Sequence, residues 1–196
     1  MKLQDYKLLL IVVGLIGIML LASSTLVNIV RPPVSEPFSE LFILGPGRMA
    51  ENYPHNIVPG QNYSFYVGVS NHLGYSALYM VYLKMGNQTD LLPNATSVTP
   101  SPLKPLTQYE FSLFDNQTWE MPLTFSMINV STTLNQTTIN KLAINDVTLN
   151  ISKSAVLDPK SGTFSYKLIC ELWLYNGTIN AFQYNNRFVS LQLSVT

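Results

Sequence analysis

From Phe38 to the end of the chain, apolar and polar residues alternate with a period of two. In Tyr63–Val69, Tyr63, Phe65, Val67 and Val69 share one side, and Ser64, Tyr66 and Gly68 share the other. The same alternation runs through 77–85, 111–113, 121–127, 147–151 and 164–174, and is cleanest in 189–195. It predicts strands that each bury one face. A first strand is expected near 38–44, followed by a turn and a lead-in to the second strand. Asn71-His72-Leu73-Gly74 and Asn176-Gly177 read as turns, the latter as a tight hairpin with positive φ at both positions. Residues 86–107 hold four prolines and read as a long surface loop. Beyond residue 30 no stretch shows a helical period over 12 residues. The expected fold is all-β, an antiparallel immunoglobulin-like β-sandwich.

The N-terminus departs from this pattern. Residues 8–30 contain no charged side chain. At about 1.5 Å per residue they reach roughly 34 Å, enough for a hydrocarbon core of about 30 Å. Lys2 and Lys7 precede the span, so the positive-inside tendency leaves the N-terminus cytoplasmic. The organisation expected is a cytoplasmic tip (1–7), a single transmembrane helix (8–30), a Pro-rich stem (31–37) and an extracellular β domain (38–196). A cleaved signal peptide is the competing reading, with Ala22-Ser23-Ser24 as a poor cleavage site. The apolar run continues past it, which favours an uncleaved anchor. Gly14 and Gly17 supply small residues at which another helix could approach.

Composition sharpens the placement. Only 11% of residues are charged, with 11 acidic and 11 basic, so nucleic acid is not an expected partner. Polarity comes from 17 Asn, 18 Ser and 15 Thr. Asn-X-Ser/Thr triplets occur at Asn62, Asn87, Asn94, Asn116, Asn129, Asn135, Asn150 and Asn176. Chance would place about three, and all eight follow the apolar span, which points to covalent N-glycans on an exterior domain. The lone Cys170 excludes an intrachain disulfide and falls on the apolar stripe of its strand, as a small core residue would.

Candidate chemistry is sparse. His55 and His72 sit near predicted turns, without the further ligands a zinc site needs. No cofactor and no catalytic set emerges. Among the carboxylates Glu40, Glu51, Glu110, Glu120 and Glu171, Glu51 would be the first to test for a paired-carboxylate glycan hydrolase. Trp119, Trp173 and the 11 tyrosines are expected to fill the core and its flanks ahead of forming a binding surface. Gly45-Pro46-Gly47-Arg48 lacks the Lys-Ser/Thr of a phosphate loop and reads as a type II turn, with positive φ at Gly47.

Phe38 to Gly47, Ala50-Glu-Asn-Tyr-Pro54, Gly60-Gln-Asn-Tyr63 and Val67-Gly-Val-Ser-Asn-His72 together resemble the exterior domain of an archaeal membrane-protein family catalogued as domain of unknown function 1616. The resemblance covers residues 38–85 well and 172–195 weakly, with 86–160 divergent. Its members often carry several membrane spans where this chain has one. It implies an archaeal surface β-sandwich and defines no catalytic residue. The function expected is that of a membrane-anchored interaction or accessory module, or a small subunit of a larger membrane or envelope complex. Its partners would be the lipid bilayer and other membrane or surface-layer proteins. A pilin-like filament subunit is the alternative, although Asp5-Tyr6-Lys7-Leu8 lacks the usual processing residues. An exterior glycan hydrolase is the third.

Overall fold

The computed structural model describes residues 6, 7, 9–19 and 36–195. The chain divides into two compact units, Met1–Pro37 and Phe38–Thr196. In the first, residues 9–19 are helical. Among the described residues no helix is long and apolar enough to cross a membrane. Positions 8 and 20–30 of the expected span, and most of the stem, lie outside the described residues.

The second unit is built of ten strands: β1 (Phe38–Leu44), β2 (Asn56–Ile57), β3 (Tyr63–His72), β4 (Ala77–Asn87), β5 (Thr107–Leu113), β6 (Thr118–Thr132), β7 (Gln136–Ile144), β8 (Val147–Asp158), β9 (Thr163–Asn176) and β10 (Ala181–Val195). They form one curled sheet in the order β1-β3-β6-β7-β8-β9-β10-β2, with β4 joining β9 and carrying β5. Every pairing is antiparallel except the short β10–β2 contact. The path is continuous because β8 pairs with β7 along most of its length and then passes Leu157 and Asp158 to β9.

The curl brings two layers together over one apolar core. Phe65, Val67 and Val69 of β3 and Leu123, Phe125 and Met127 of β6 meet Tyr79, Val81 and Leu83 of β4 and Tyr166, Leu168 and Cys170 of β9. These are the alternating positions that the period of two marks, which is why each strand has one fully apolar side. Polar contacts pin the layers at both ends. The Tyr166 hydroxyl donates to the Thr137 carbonyl (2.6 Å), and Ser39 Oγ meets the Tyr79 hydroxyl (2.8 Å).

Three local expectations are corrected. β7 is a strand that the alternation did not reveal. Against β6 the register slips between Asn129 and Val130, where β7 carries the extra residue Asn140, so buried Ile139 and Leu142 lie three apart instead of two. The Asn176-Gly177 hairpin is a longer connection. Asn176 pairs with Ala181, and the positive φ falls on Asn180 (54°). Asn176 instead accepts Thr178 N–H at its Oδ1 (2.9 Å), a local Asx turn. The third correction, at Gly47, belongs to the signature segment below.

Candidate functional site

The signature segment between β1 and β2 is a clasp. Arg48 N–H donates to the Gly45 carbonyl (3.0 Å), and Gly45 N–H to Met49 O (2.8 Å). Positive φ falls on Arg48 (57°) and Asn52 (55°), not on Gly47, so the turn is not type II. Glycine is required at position 45 for another reason: a Cβ there would overlap the Glu51 backbone oxygen. The returning chain is tied by the Tyr53 hydroxyl, which donates to Ile43 O (3.0 Å). The Arg48 guanidinium lies 4.9 Å from the Tyr66 ring centroid, a cation–π contact. At Gly68 the ring of Phe42, its cross-strand partner, fills the space a side chain would take.

A second cluster closes the end of the domain where β1 begins. Asn71 is fully buried. Its Nδ2 donates to Tyr75 O (2.8 Å) and Leu113 O (3.0 Å). Its Oδ1 accepts Leu73 N–H (3.1 Å) and the Tyr79 hydroxyl (3.1 Å). Its backbone pairs with Asn116 and Gln117. One side chain thus joins the β3–β4 turn, the end of β5 and strand β4. His72 beside it contacts Asn116 Oδ1 (3.1 Å) and, at 3.9 Å, Glu40.

A third cluster lies on the opposite face of β4 and β9. Lys84 and Glu171 are 3% and 0% exposed, and Lys84 Nζ is 2.7 Å from Glu171 Oε2. Lys84 also donates to Ser101 O (2.7 Å), and Ser101 N–H donates to Glu171 Oε1 (2.8 Å). Trp173 Nε1 adds a longer bond to Oε2 (3.3 Å). The expected surface loop folds back over the sheet here and seals the pair. Burial, together with the negative charge of Glu171, pushes the nearby Tyr184 hydroxyl up to about 12. Nothing in the sequence pointed to this pair. Lys84 sits at a position that alternation marks as outward, and its cover comes from residues 17 positions away.

The remaining candidates are held in structural contacts. Cys170 is buried in the core, and burial pushes its thiol up to about 12, far from a nucleophile's range. His55 contacts Gln192 O (3.1 Å) at the short β2–β10 pairing. Glu51 is exposed, and its carboxylate takes a weak bond from Asn52 (3.4 Å). Glu40, Glu110 and Glu120 are exposed on three different strands. Trp119 stacks on Phe111 at 4.0 Å, and Trp173 packs against Tyr82 and Tyr184. Among the described residues no group of three His, Cys, Asp or Glu could hold a metal ion.

The eight triplet asparagines separate into two classes. A sugar is attached through Nδ2, so that nitrogen must reach solvent. Asn87 Nδ2 donates to Ser154 O, Asn116 Nδ2 to Asp115, and Asn176 Nδ2 to Gln183, each at 2.8 Å. Asn87 and Asn176 are also half-buried. Asn62, Asn94, Asn129, Asn135 and Asn150 are exposed, and their Nδ2 atoms make no hydrogen bond within the described residues. Asn94 uses only its Oδ1, which accepts Thr96 and Ser97 N–H.

Clasp and Asn71 cluster both fall in the stretch that aligns with a known family. Residues 32–139, more than half of the chain, match the family described as domain of unknown function (DUF1616). The chain belongs to that family. The match runs through 86–139, which the motifs alone had suggested to be divergent, and ends inside β7, before the final strands. The DUF1616 region therefore supplies Lys84 and Ser101, while Glu171 comes from the part of the chain beyond it. No curated protein matches the chain in sequence. Among solved structures, the complex of zinc 2-glycoprotein with prolactin inducible protein from human seminal plasma aligns at 9% identity, over 84% of this chain and 100% of that one, with a TM-score of 0.37. The sporulation control protein Spo0M of Bacillus subtilis aligns at 8% identity, over 82% and 91%, with a TM-score of 0.22.

Proposed function

We propose that this DUF1616 chain is a membrane-anchored, N-glycosylated cell-surface protein. Its β domain acts by interaction, as an accessory module or small subunit of a larger membrane or envelope complex, and not as an enzyme. The observation that carries this reading is the set of five exposed triplet asparagines whose amide nitrogens are free of hydrogen bonds. They lie on five different connections and strands, which suits a domain bathed in an exterior medium. The uncharged stretch 8–30 supports the anchor. The engagement of Asn71, Lys84, Glu171 and Cys170 in packing supports a module whose titratable groups serve the fold.

The finer architecture belongs to the same proposal. β1, β3 and β6 form one layer and β5, β4, β9 and β10 the other, with β7–β8 added at the edge of the first. The chain passes between layers at β1–β2, β2–β3, β3–β4, β5–β6 and β8–β9, which supports an immunoglobulin-like sandwich carrying an extra hairpin. The archaeal setting rests on the family resemblance of the sequence.

Purification of the native protein from its membranes in mild detergent, with mass spectrometry of what accompanies it, tests the role. A stoichiometric set of membrane or surface-layer proteins supports the accessory reading. A protein recovered alone from the soluble fraction contradicts it.

A further inference from the structure

Phe38, the first residue of β1, pairs with His72, the last of β3. The chain before Phe38 therefore joins the β domain at the end closed by Asn71. Three turns make up that end: residues 73–76, 114–117 and 177–180. Asn71 binds Tyr75 O and Leu113 O, and Gly74 N–H donates to Asp115 Oδ1 (2.8 Å), so the first two turns are fixed side by side. The third meets them at a groove of about 410 Å³ shared by Tyr75, Asn176 and Gly177.

Each turn carries one large apolar side chain into solvent: Tyr75 at 58%, Phe114 at 67% and Ile179 at 53% exposure. Packing within the domain does not account for them. The only formal charge in the three turns is Asp115, and both of its oxygens are already bonded, to Gly74 N–H and Asn116 Nδ2. The two triplet asparagines at this end, Asn116 and Asn176, are also two of the three whose Nδ2 is engaged. Asn62, Asn129, Asn135 and Asn150 lie toward the far end, at or beyond the level where Tyr63 pairs with Phe125. The domain thus has an end, where the preceding chain enters, whose three turns are apolar with one engaged charge, flanked by Glu36, Glu40 and His72, and an opposite end rich in free acceptor asparagines.

We infer that this end faces the bilayer and that Tyr75, Phe114 and Ile179 enter its interface. The inference rests on the anchored reading proposed above. A stem of seven residues (31–37) reaches at most about 25 Å, which holds the entry end near the lipid. Aromatic and aliphatic side chains with few charges suit the headgroup boundary. The absence of Lys and Arg from the three turns makes zwitterionic lipid sufficient.

The test uses the full chain in phosphatidylcholine vesicles, with variants that each add one exposed cysteine, Phe114→Cys, Ile179→Cys and, at the far end, Leu134→Cys, whose side chain is 93% exposed. Each carries an environment-sensitive fluorophore, and buried Cys170 stays unlabelled. Headgroup spin-labelled lipid should quench positions 114 and 179 several-fold more than 134, unchanged by added anionic lipid or salt. Protein that floats with vesicles but shows equal or no quenching at the three positions overturns the inference and leaves the anchor intact. Stronger quenching at 134 reverses the orientation and also overturns it. Protein that does not float with vesicles removes the anchored reading and the inference with it.

Discussion

The Tyr79 hydroxyl donates to Asn71 Oδ1 at 3.1 Å and lies 2.8 Å from Ser39 Oγ, linking strands β4, β3 and β1 across the two layers. With its own proton directed at Asn71, Tyr79 accepts from Ser39. Burial raises the Tyr79 hydroxyl above its ordinary value, so it remains a donor at any moderate pH. Asn71→Ala removes four side-chain hydrogen bonds, those to the Tyr79 hydroxyl, the Leu73 N–H and the Tyr75 and Leu113 carbonyls. It should cost about 3 kcal/mol or more, and Tyr79→Phe about 1–2 kcal/mol. Urea unfolding measures both. A change within about 0.5 kcal/mol for Asn71→Ala, the range of ordinary surface substitutions, would remove the hub from the account.

The buried Lys84–Glu171 pair predicts a non-additive double-mutant cycle. Either Lys84→Met or Glu171→Leu leaves a charge in the sheet without its partner and should cost about 3–5 kcal/mol. The double variant Lys84→Met/Glu171→Leu should recover most of that loss. Additive losses would mean that the two side chains act independently.

Gly45 and Gly68 are both crowded, but by different neighbours. At Gly45 the obstacle is the Glu51 backbone oxygen, whereas at Gly68 it is the Phe42 ring. Both alanine substitutions should destabilise by about 1–3 kcal/mol. Trimming the ring with Phe42→Leu should relieve Gly68→Ala, while no side-chain change relieves Gly45→Ala. Thermal melts of the four variants distinguish the two causes, and an unaffected Gly45→Ala would show that the clasp yields.

Asp90 sets an acid limit. Burial disfavours its charge, but Lys153 Nζ at 2.5 Å and Asn87 N–H at 2.7 Å outweigh that, and the carboxyl titrates below its ordinary value. Asp158 is lowered by the Lys160 N–H and Ser161 hydroxyl that it accepts. A depressed folded value gives stability that is present above the unfolded pKa of about 4 and is lost as pH falls through the folded one. Unfolding midpoints should be level near neutrality and fall in stronger acid. Asp90→Asn should lower the midpoint at neutral pH and flatten the acid slope. An unchanged slope would contradict the assignment.

What could be read from the chain and what could not divide along physical lines. β1, β3, β4, β9 and the end of β10 announce themselves because unbroken pairing keeps the period of two, as at Val189, Leu191 and Leu193. β7 escapes because the extra residue Asn140, set against Asn129 and Val130 of β6, shifts the phase after Ile139. The turn at Gly45 was legible as a turn, but not in its type, since a nearby backbone oxygen and not a φ value demands the glycine. Lys84, Glu171 and Ser101 come together from positions up to 87 residues apart, and no local pattern registers that. Triplet asparagines are visible in any sequence. Which amide nitrogens are already spent on Ser154, Asp115 and Gln183 emerges only once the strands are paired.

Glycopeptide mapping of the protein isolated from its own cells tests the central claim most directly. The account predicts sugar at Asn62, Asn94, Asn129, Asn135 and Asn150, with Asn87, Asn116 and Asn176 bare. A chain with all eight positions unmodified would contradict the reading of an exterior glycoprotein. Occupancy at Asn116 or Asn176 would contradict a sugar-free end held against the membrane.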